Sequence, residues 1–136
     1  MNMTWVETNK LIEELNKKSY CGYLDWRLPE VNELYSLTDY IRSSPVMLQG
    51  HPFFNVKDRY WSSITYAYNK DYAWIVLMYD GLVSNRNKVS DFYVWLVRSG
   101  QCMTVDSSTR FVDNNDGTVS DTKTGLMWTK DANIRP

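Results

Sequence analysis

"RYWSSITYAYNKDYAWIVLMYDGLV", residues 59–83, is where the chain changes period. Tyr60–Tyr66 and Ala73–Tyr79 are dense in aromatic and β-branched residues, the side chains that suit a pleated, half-buried surface. Asp80-Gly81 supplies the hairpin turn between strands, and the chain returns through Leu82 and Val83. A further run, Phe92–Arg98, puts Tyr93, Trp95 and Val97 on one face and Phe92, Val94 and Leu96 on the other. Both faces are apolar, which predicts a central strand.

Upstream the period is helical. Thr4-Trp-Val-Glu7 is a capping box: the Thr hydroxyl can accept from the third helical N–H, and Glu7 can reach back. Val6, Leu11, Ile12 and Leu15 form a stripe, predicting a helix over Trp5–Lys18 that Cys21-Gly22 breaks. Pro29 suits the first turn of a second helix, with Val31, Leu34, Tyr35, Thr38 and Ile41 at helical spacing and Ser43-Ser44-Pro45 as its end. A loop reaches to about Asp58 and carries His51, the one histidine. Downstream, Gly100–Thr109 reads as a polar linker. Short strands follow near Arg110–Val112, Thr118–Asp121 and Gly125–Trp128. Helices first and strands after them predict a single α+β domain over 1–136.

Composition narrows the function classes. Fifteen Lys and Arg against sixteen Asp and Glu give a formal charge of -1, without the basic footprint of a nucleic-acid binder. No apolar run approaches the roughly 20 residues that span a bilayer, so membrane insertion is not expected. Met1–Leu15 has no basic n-region followed by an apolar core, so no signal peptide is read there. A lone histidine without Cys/His pairs does not make a zinc site. No nucleotide-binding or nucleophile-elbow fingerprint is present, and the expectation is a protein that is not an enzyme. Asp113, Asn115, Asp116 and Asp121 offer the oxygen ligands of a calcium ion, but without EF-hand spacing, and the Asp116-Gly117 turn of a hairpin explains them without a metal.

Ten Tyr and six Trp are many for 136 residues. Tyr66, Tyr68, Asn69, Tyr72, Tyr79, Asn85, Arg86, Asn87 and Asp91 crowd rigid rings and adaptable hydrogen-bonding groups around the hairpin, a composition like that of a recognition surface. Ordinary strand alternation with Asn and Asp turns is the plainer reading of the same residues. Trp26, Trp61, Trp74 and Trp128 are expected to be structural.

Asp25-Trp-Arg-Leu-Pro29, Tyr60-Trp-Ser-Ser63, Ala73-Trp74 and Tyr93-Val-Trp-Leu-Val-Arg98 resemble the Lcl C-terminal domain family, the module that ends certain collagen-like bacterial adhesins. The resemblance implies a C-type-lectin-like fold, with two helices packed on a small twisted antiparallel sheet. It also implies a ligand-binding module for a glycan or a protein surface, displayed outside the cytoplasm. The alternatives are a structural or oligomerising module and an enzyme on the related formylglycine-generating scaffold. Two cysteines in such a module suggest a Cys21–Cys102 disulfide, with free thiols equally ordinary.

The block order departs from the family. Asp116-Gly-Thr-Val-Ser-Asp-Thr-Lys-Thr-Gly-Leu-Met-Trp128 resembles the family's opening segment, yet here it comes last. Residues 110–136 would then be the family's first strand segment placed at the C-terminus, a circular permutation. Gly125–Trp128 is expected beside Tyr93–Arg98. The rivals are exchange of this tail between chains in a homo-oligomer and the start of a second repeat.

Overall fold

The computed structural model describes residues 3–37, 52–78, 82–99 and 110–134. Thr38, Ile41, His51, Tyr79, Asp80-Gly81, Cys102, the 100–109 linker and the last two residues lie outside the described residues.

Helix α1 spans Trp5–Lys17. Its capping box forms as the sequence predicts: Glu7 N–H donates to the Thr4 hydroxyl at 3.2 Å, and Thr4 N–H to Glu7 Oε1 at 3.0 Å. The expected stripe faces the core at Leu11, Ile12 and Leu15, with Thr8 buried beside them, but Val6 is 65% exposed and lies outside it. Trp5 anchors the start of the helix: its indole N–H donates to the Ser62 carbonyl at 3.0 Å. After a tight turn at Tyr20–Gly22, Trp26 is held by both amide atoms of Asn16: Trp26 N–H donates to Asn16 Oδ1 at 2.8 Å, and Asn16 Nδ2 to the Trp26 carbonyl at 2.9 Å. Helix α2, Val31–Tyr35, starts later than expected: Glu30 is its N-cap, so Pro29 precedes the helix rather than standing in its first turn.

The strands are β1 (Arg59–Thr65), β2 (Tyr72–Leu77), β3 (Leu82–Asn87), β4 (Val97–Ser99), β5 (Phe111–Asp113), β6 (Thr118–Asp121) and β7 (Leu126–Thr129). The α+β class stands, but one sheet was expected and the described residues form two antiparallel sheets, in the orders β1-β2-β3 and β4-β7-β6-β5. The reason lies in Phe92–Arg98. Only Val97 onward forms a ladder; Phe92 and Tyr93 make single bridges to Met3 and Tyr60. The segment therefore passes from one sheet to the other, central to the molecule without being one regular strand.

Its alternation divides the interior as the sequence suggests. Phe92, Val94 and Leu96 join Met3, Leu11, Ile12, Trp26, Trp61, Ala73 and Ile75 in one core. Trp95 and Val97 join Leu34, Leu37, Phe53, Tyr60, Val76, Val119 and Trp128 in the other. The closing segment enters both. Val97 pairs with Trp128 and Ser99 with Leu126, one residue beyond the expected pairing. Trp95 Nε1 donates to the Thr129 carbonyl at 2.9 Å, and the Tyr60 hydroxyl donates to the Ala132 carbonyl at 2.6 Å. Burial pushes the Tyr60 phenol well above its ordinary range, so it stays a neutral donor. Met3 N–H donates to the Phe92 carbonyl at 2.8 Å and Ile134 N–H to the Val94 carbonyl at 2.9 Å, so the two ends of the described chain flank the same short segment.

Candidate functional site

The face of the first sheet that meets α2 is only partly covered. Cross-strand register puts Tyr72 opposite Asn87, Trp74 opposite Asn85 and Val76 opposite Val83 on this face. Val76 and Tyr60 pass beneath Leu34 into the core, whereas Trp74 and Val83 remain beside the helix. Together with Glu30, Val31, Asn32 and Tyr35 from the helix and Ile64 from β1 they line an open trough of about 610 Å³. Among the described residues Glu30 is the one charged residue in that lining.

Ile64 reaches the trough through an irregularity in β1. The register shifts between Trp61 and Thr65, Ser63 N–H donates to the Pro29 carbonyl at 2.9 Å, and Ile64 N–H donates to the Ser62 hydroxyl oxygen at 3.2 Å. The bulge re-aims one side chain and ties β1 to the segment that leads into α2. That segment is held rigidly: Arg27 donates to both oxygens of Glu33 at 2.7 and 2.8 Å. Burial pushes the Glu33 carboxyl up, but the hydrogen bonds and charge of Arg27, with the Glu30 N–H, outweigh it and leave the pKa below the ordinary value.

An aromatic shelf extends the trough. The Tyr66 ring meets Trp74 edge to face at 5.3 Å, and Tyr68 meets Tyr66 at 5.5 Å. Tyr68 is 90% exposed. The 66–72 turn beneath these rings is pinned by Tyr72 N–H to the Asn69 carbonyl at 3.0 Å, Asp71 N–H to Asn69 Oδ1 at 3.0 Å and Tyr66 N–H to the Tyr72 carbonyl at 2.8 Å.

The sequence-selected surface residues divide. Tyr66, Tyr68 and Asn69 belong to the shelf and its turn, and Tyr72, Asn85 and Asn87 share the trough face. Arg86 lies on the opposite face, opposite Ala73, where its guanidinium bonds the Ser84 hydroxyl and the Asn85 carbonyl. Asp91 is exposed between β3 and the central segment, and Tyr79 is outside the described residues. Trp26, Trp61 and Trp128 are buried as expected, but Trp74 is half-buried and lines the trough, so it is not purely structural. The reading from sequence missed the trough's other wall. Val31 and Tyr35 carry the signal for it, an apolar i,i+4 pair, but that spacing equally describes a core stripe.

The Asp113–Asp121 oxygens already have partners. Asp113 accepts from Lys130 Nζ at 2.5 Å and Asn115 N–H at 2.9 Å, and Asp116 accepts from Thr118 N–H at 3.0 Å. Asp121 is bound by two nitrogens of Arg110 at 2.9 Å. Among the described residues no three His, Cys, Asp or Glu side chains come together as a cation site. Cys21 Sγ packs where a Cβ on Gly117 would stand 2.8 Å away; burial, followed by the charge of Asp116, pushes its thiol up. Its proposed partner, Cys102, is outside the described residues. Among the described residues no helix is long and apolar enough to cross a membrane.

Among the described residues, two antiparallel sheets, two α-helices and a half-open aromatic face define an α+β fold with an apolar trough. The chain belongs to the Lcl C-terminal domain family, which matches residues 1–98, ending within β4. No curated protein and no solved structure matches it.

Proposed function

We propose that the chain is a non-catalytic binding module of the C-type-lectin-like kind, which recognises a glycan or a protein surface at the trough and its aromatic shelf. The observation that carries this reading is the lining itself. Val31, Tyr35, Ile64, Trp74 and Val83 stand together around one carboxylate, beside the Tyr66–Tyr68 stack. Large rings held in place before a ligand arrives lose little entropy on binding, and an apolar concavity with few polar groups is the ordinary form of a ligand site.

The adhesin-like, extracytoplasmic role expected of the family fits such a surface. We propose further that residues 110–136 stand where the family's opening segment belongs, as a circular permutation. Support comes from the match ending at β4, from β7 pairing with β4, and from Met3 and Ile134 flanking Phe92–Val94. Termini that lie close together are what make a permuted order workable.

Tyr35 and Ile64 are exposed enough to replace with little damage to the fold. On a glycan array and in a protein-binding screen, Tyr35→Ala, Ile64→Ser and Tyr68→Ala are expected to bind any ligand found at least tenfold more weakly than the parent. Ligands held equally well by all three variants would contradict the assignment.

A further inference from the structure

The outer edge of β3 adds a second element to the trough. Met78 N–H donates to the Asp58 carbonyl at 2.6 Å and Tyr66 N–H to the Tyr72 carbonyl at 2.8 Å, so even-numbered residues of β2 turn their backbone toward β1. Lys88 N–H donates to the Asp71 carbonyl at 2.8 Å, so the odd-numbered ones face β3. Leu82, Ser84 and Arg86 stand opposite Leu77, Ile75 and Ala73 and complete that ladder. In an antiparallel pair the residues between them point their N–H and C=O groups the other way. These are Val83, Asn85 and Asn87. The Asn87 carbonyl is taken by Ser90 N–H at 2.9 Å and that of Asn85 by Arg86 Nη1 at 2.8 Å. Among the described residues no strand lies beyond β3, and no backbone partner meets the Val83 N–H, the Val83 carbonyl or the Asn85 N–H.

We propose that an extended peptide adds to the outer edge of β3 at Val83–Asn85, laying an apolar side chain into the trough and a basic one toward Glu30. The proposal rests on the trough being the ligand site and specifies its occupant. Val83 joins the two elements: its backbone faces the open edge while its side chain lines the trough. A strand added at about 4.8 Å places its own side chains on the same face, next to those of Val83 and Asn85. Strand addition supplies affinity through main-chain bonds and specificity through alternate side chains. Edges that avoid such pairing carry proline, bulges or several charges. Leu82–Asn87 has no proline and one charge, Arg86, whose guanidinium holds the Asn85 carbonyl and must release it when the ligand docks. The lining favours a peptide over a sugar: sugar hydroxyls need several polar partners, and among the described residues the trough offers mainly hydrocarbon, with the Glu30 carboxylate and the Asn32 amide.

The test is panning a displayed library of random linear heptapeptides against the full chain. Enriched sequences are expected to carry apolar residues at alternate positions and a Lys or Arg. They should bind Val83→Pro at least tenfold more weakly, because proline removes an outward N–H that β2 does not use. Synthetic versions N-methylated at alternate residues test the same point without altering the protein. One phase of methylation should abolish binding and the other should be tolerated. Equal tolerance of both phases, enrichment that is indifferent to Val83→Pro in a folded variant, no enrichment over a blank surface, or occupation of the edge by a second copy in light scattering would each overturn the proposal. Failed panning together with a glycan ligand that Tyr35→Ala weakens would sink the peptide and leave the trough as the site; loss of both would sink the trough.

Discussion

The closing segment 110–134 and the β1–β3 face are both rich in rings and amides, and the fold uses them in opposite ways. Around the closing segment Tyr60, Trp95 and Trp128 are buried, and two of them aim a polar atom at main chain: Trp95 reaches Thr129, and Tyr60 reaches Ala132. On the β1–β3 face the rings meet edge to face and run out to solvent, with Tyr66 on the half-buried Trp74 and the exposed Tyr68 on Tyr66. Aromatic content thus marks two separate jobs in one small domain. Where a ring's polar atom meets a distant carbonyl, the ring holds chain segments together. Where a ring's neighbour is another half-exposed ring, it offers contact area.

The sharpest way to break this comparison is to remove one side of it. Truncation after Thr109 deletes Val119, Met127, Trp128, Ala132 and Ile134 from the two cores and leaves β4 without its partner. Loss of the cooperative thermal transition is expected. A truncated chain that melts like the parent would show that the segment is an appendage. Next in size is Asp121→Asn. Asp121 is fully buried against Arg110, and breaking such a pair by neutralising one member costs about 3–5 kcal/mol in a chemical melt. Gly117→Ala should cost about 1–3 kcal/mol, because φ is +91° and the new Cβ would stand 2.8 Å from Cys21 Sγ. Cys21→Ala in the same chain should recover the part due to contact and leave the part due to φ.

The smallest effect concerns the wall of the trough. Glu33 has a folded-state pKa below its unfolded value, so it stabilises the fold above that unfolded value and the contribution is lost as pH falls through the folded one. Glu33→Gln is therefore expected to melt below the parent at pH 7, with the gap narrowing once pH drops under about 4. A gap that stays constant down to pH 2 would mean that the Arg27–Glu33 pair contributes nothing to the wall.

Local chemistry made much of this legible before any coordinates. Thr4 and Glu7 announce the start of α1, and the two-faced Phe92–Val97 run announces a segment between two cores. The limit was set by which apolar face is covered. In β2, Ala73, Ile75 and Leu77 alternate with Tyr72, Trp74 and Val76, and both sets are apolar. Only the approach of α2, which stops short of Trp74, decides that one of them forms a trough. Val6 illustrates the same limit: Leu11, Ile12 and Leu15 face the core as the stripe predicts, but Val6 lies outside it, on a helix whose start Trp5 ties to Ser62, 57 positions away in sequence.

If the closing segment is scaffold and the β1–β3 face is surface, one pair of chemical melts, Trp128→Ala beside Trp74→Ala, separates them. Trp128 is fully buried and Trp74 half-buried. Trp128→Ala is expected to lose about 3–5 kcal/mol and Trp74→Ala less than half of that. Equal losses, or a larger one for Trp74→Ala, would contradict that division.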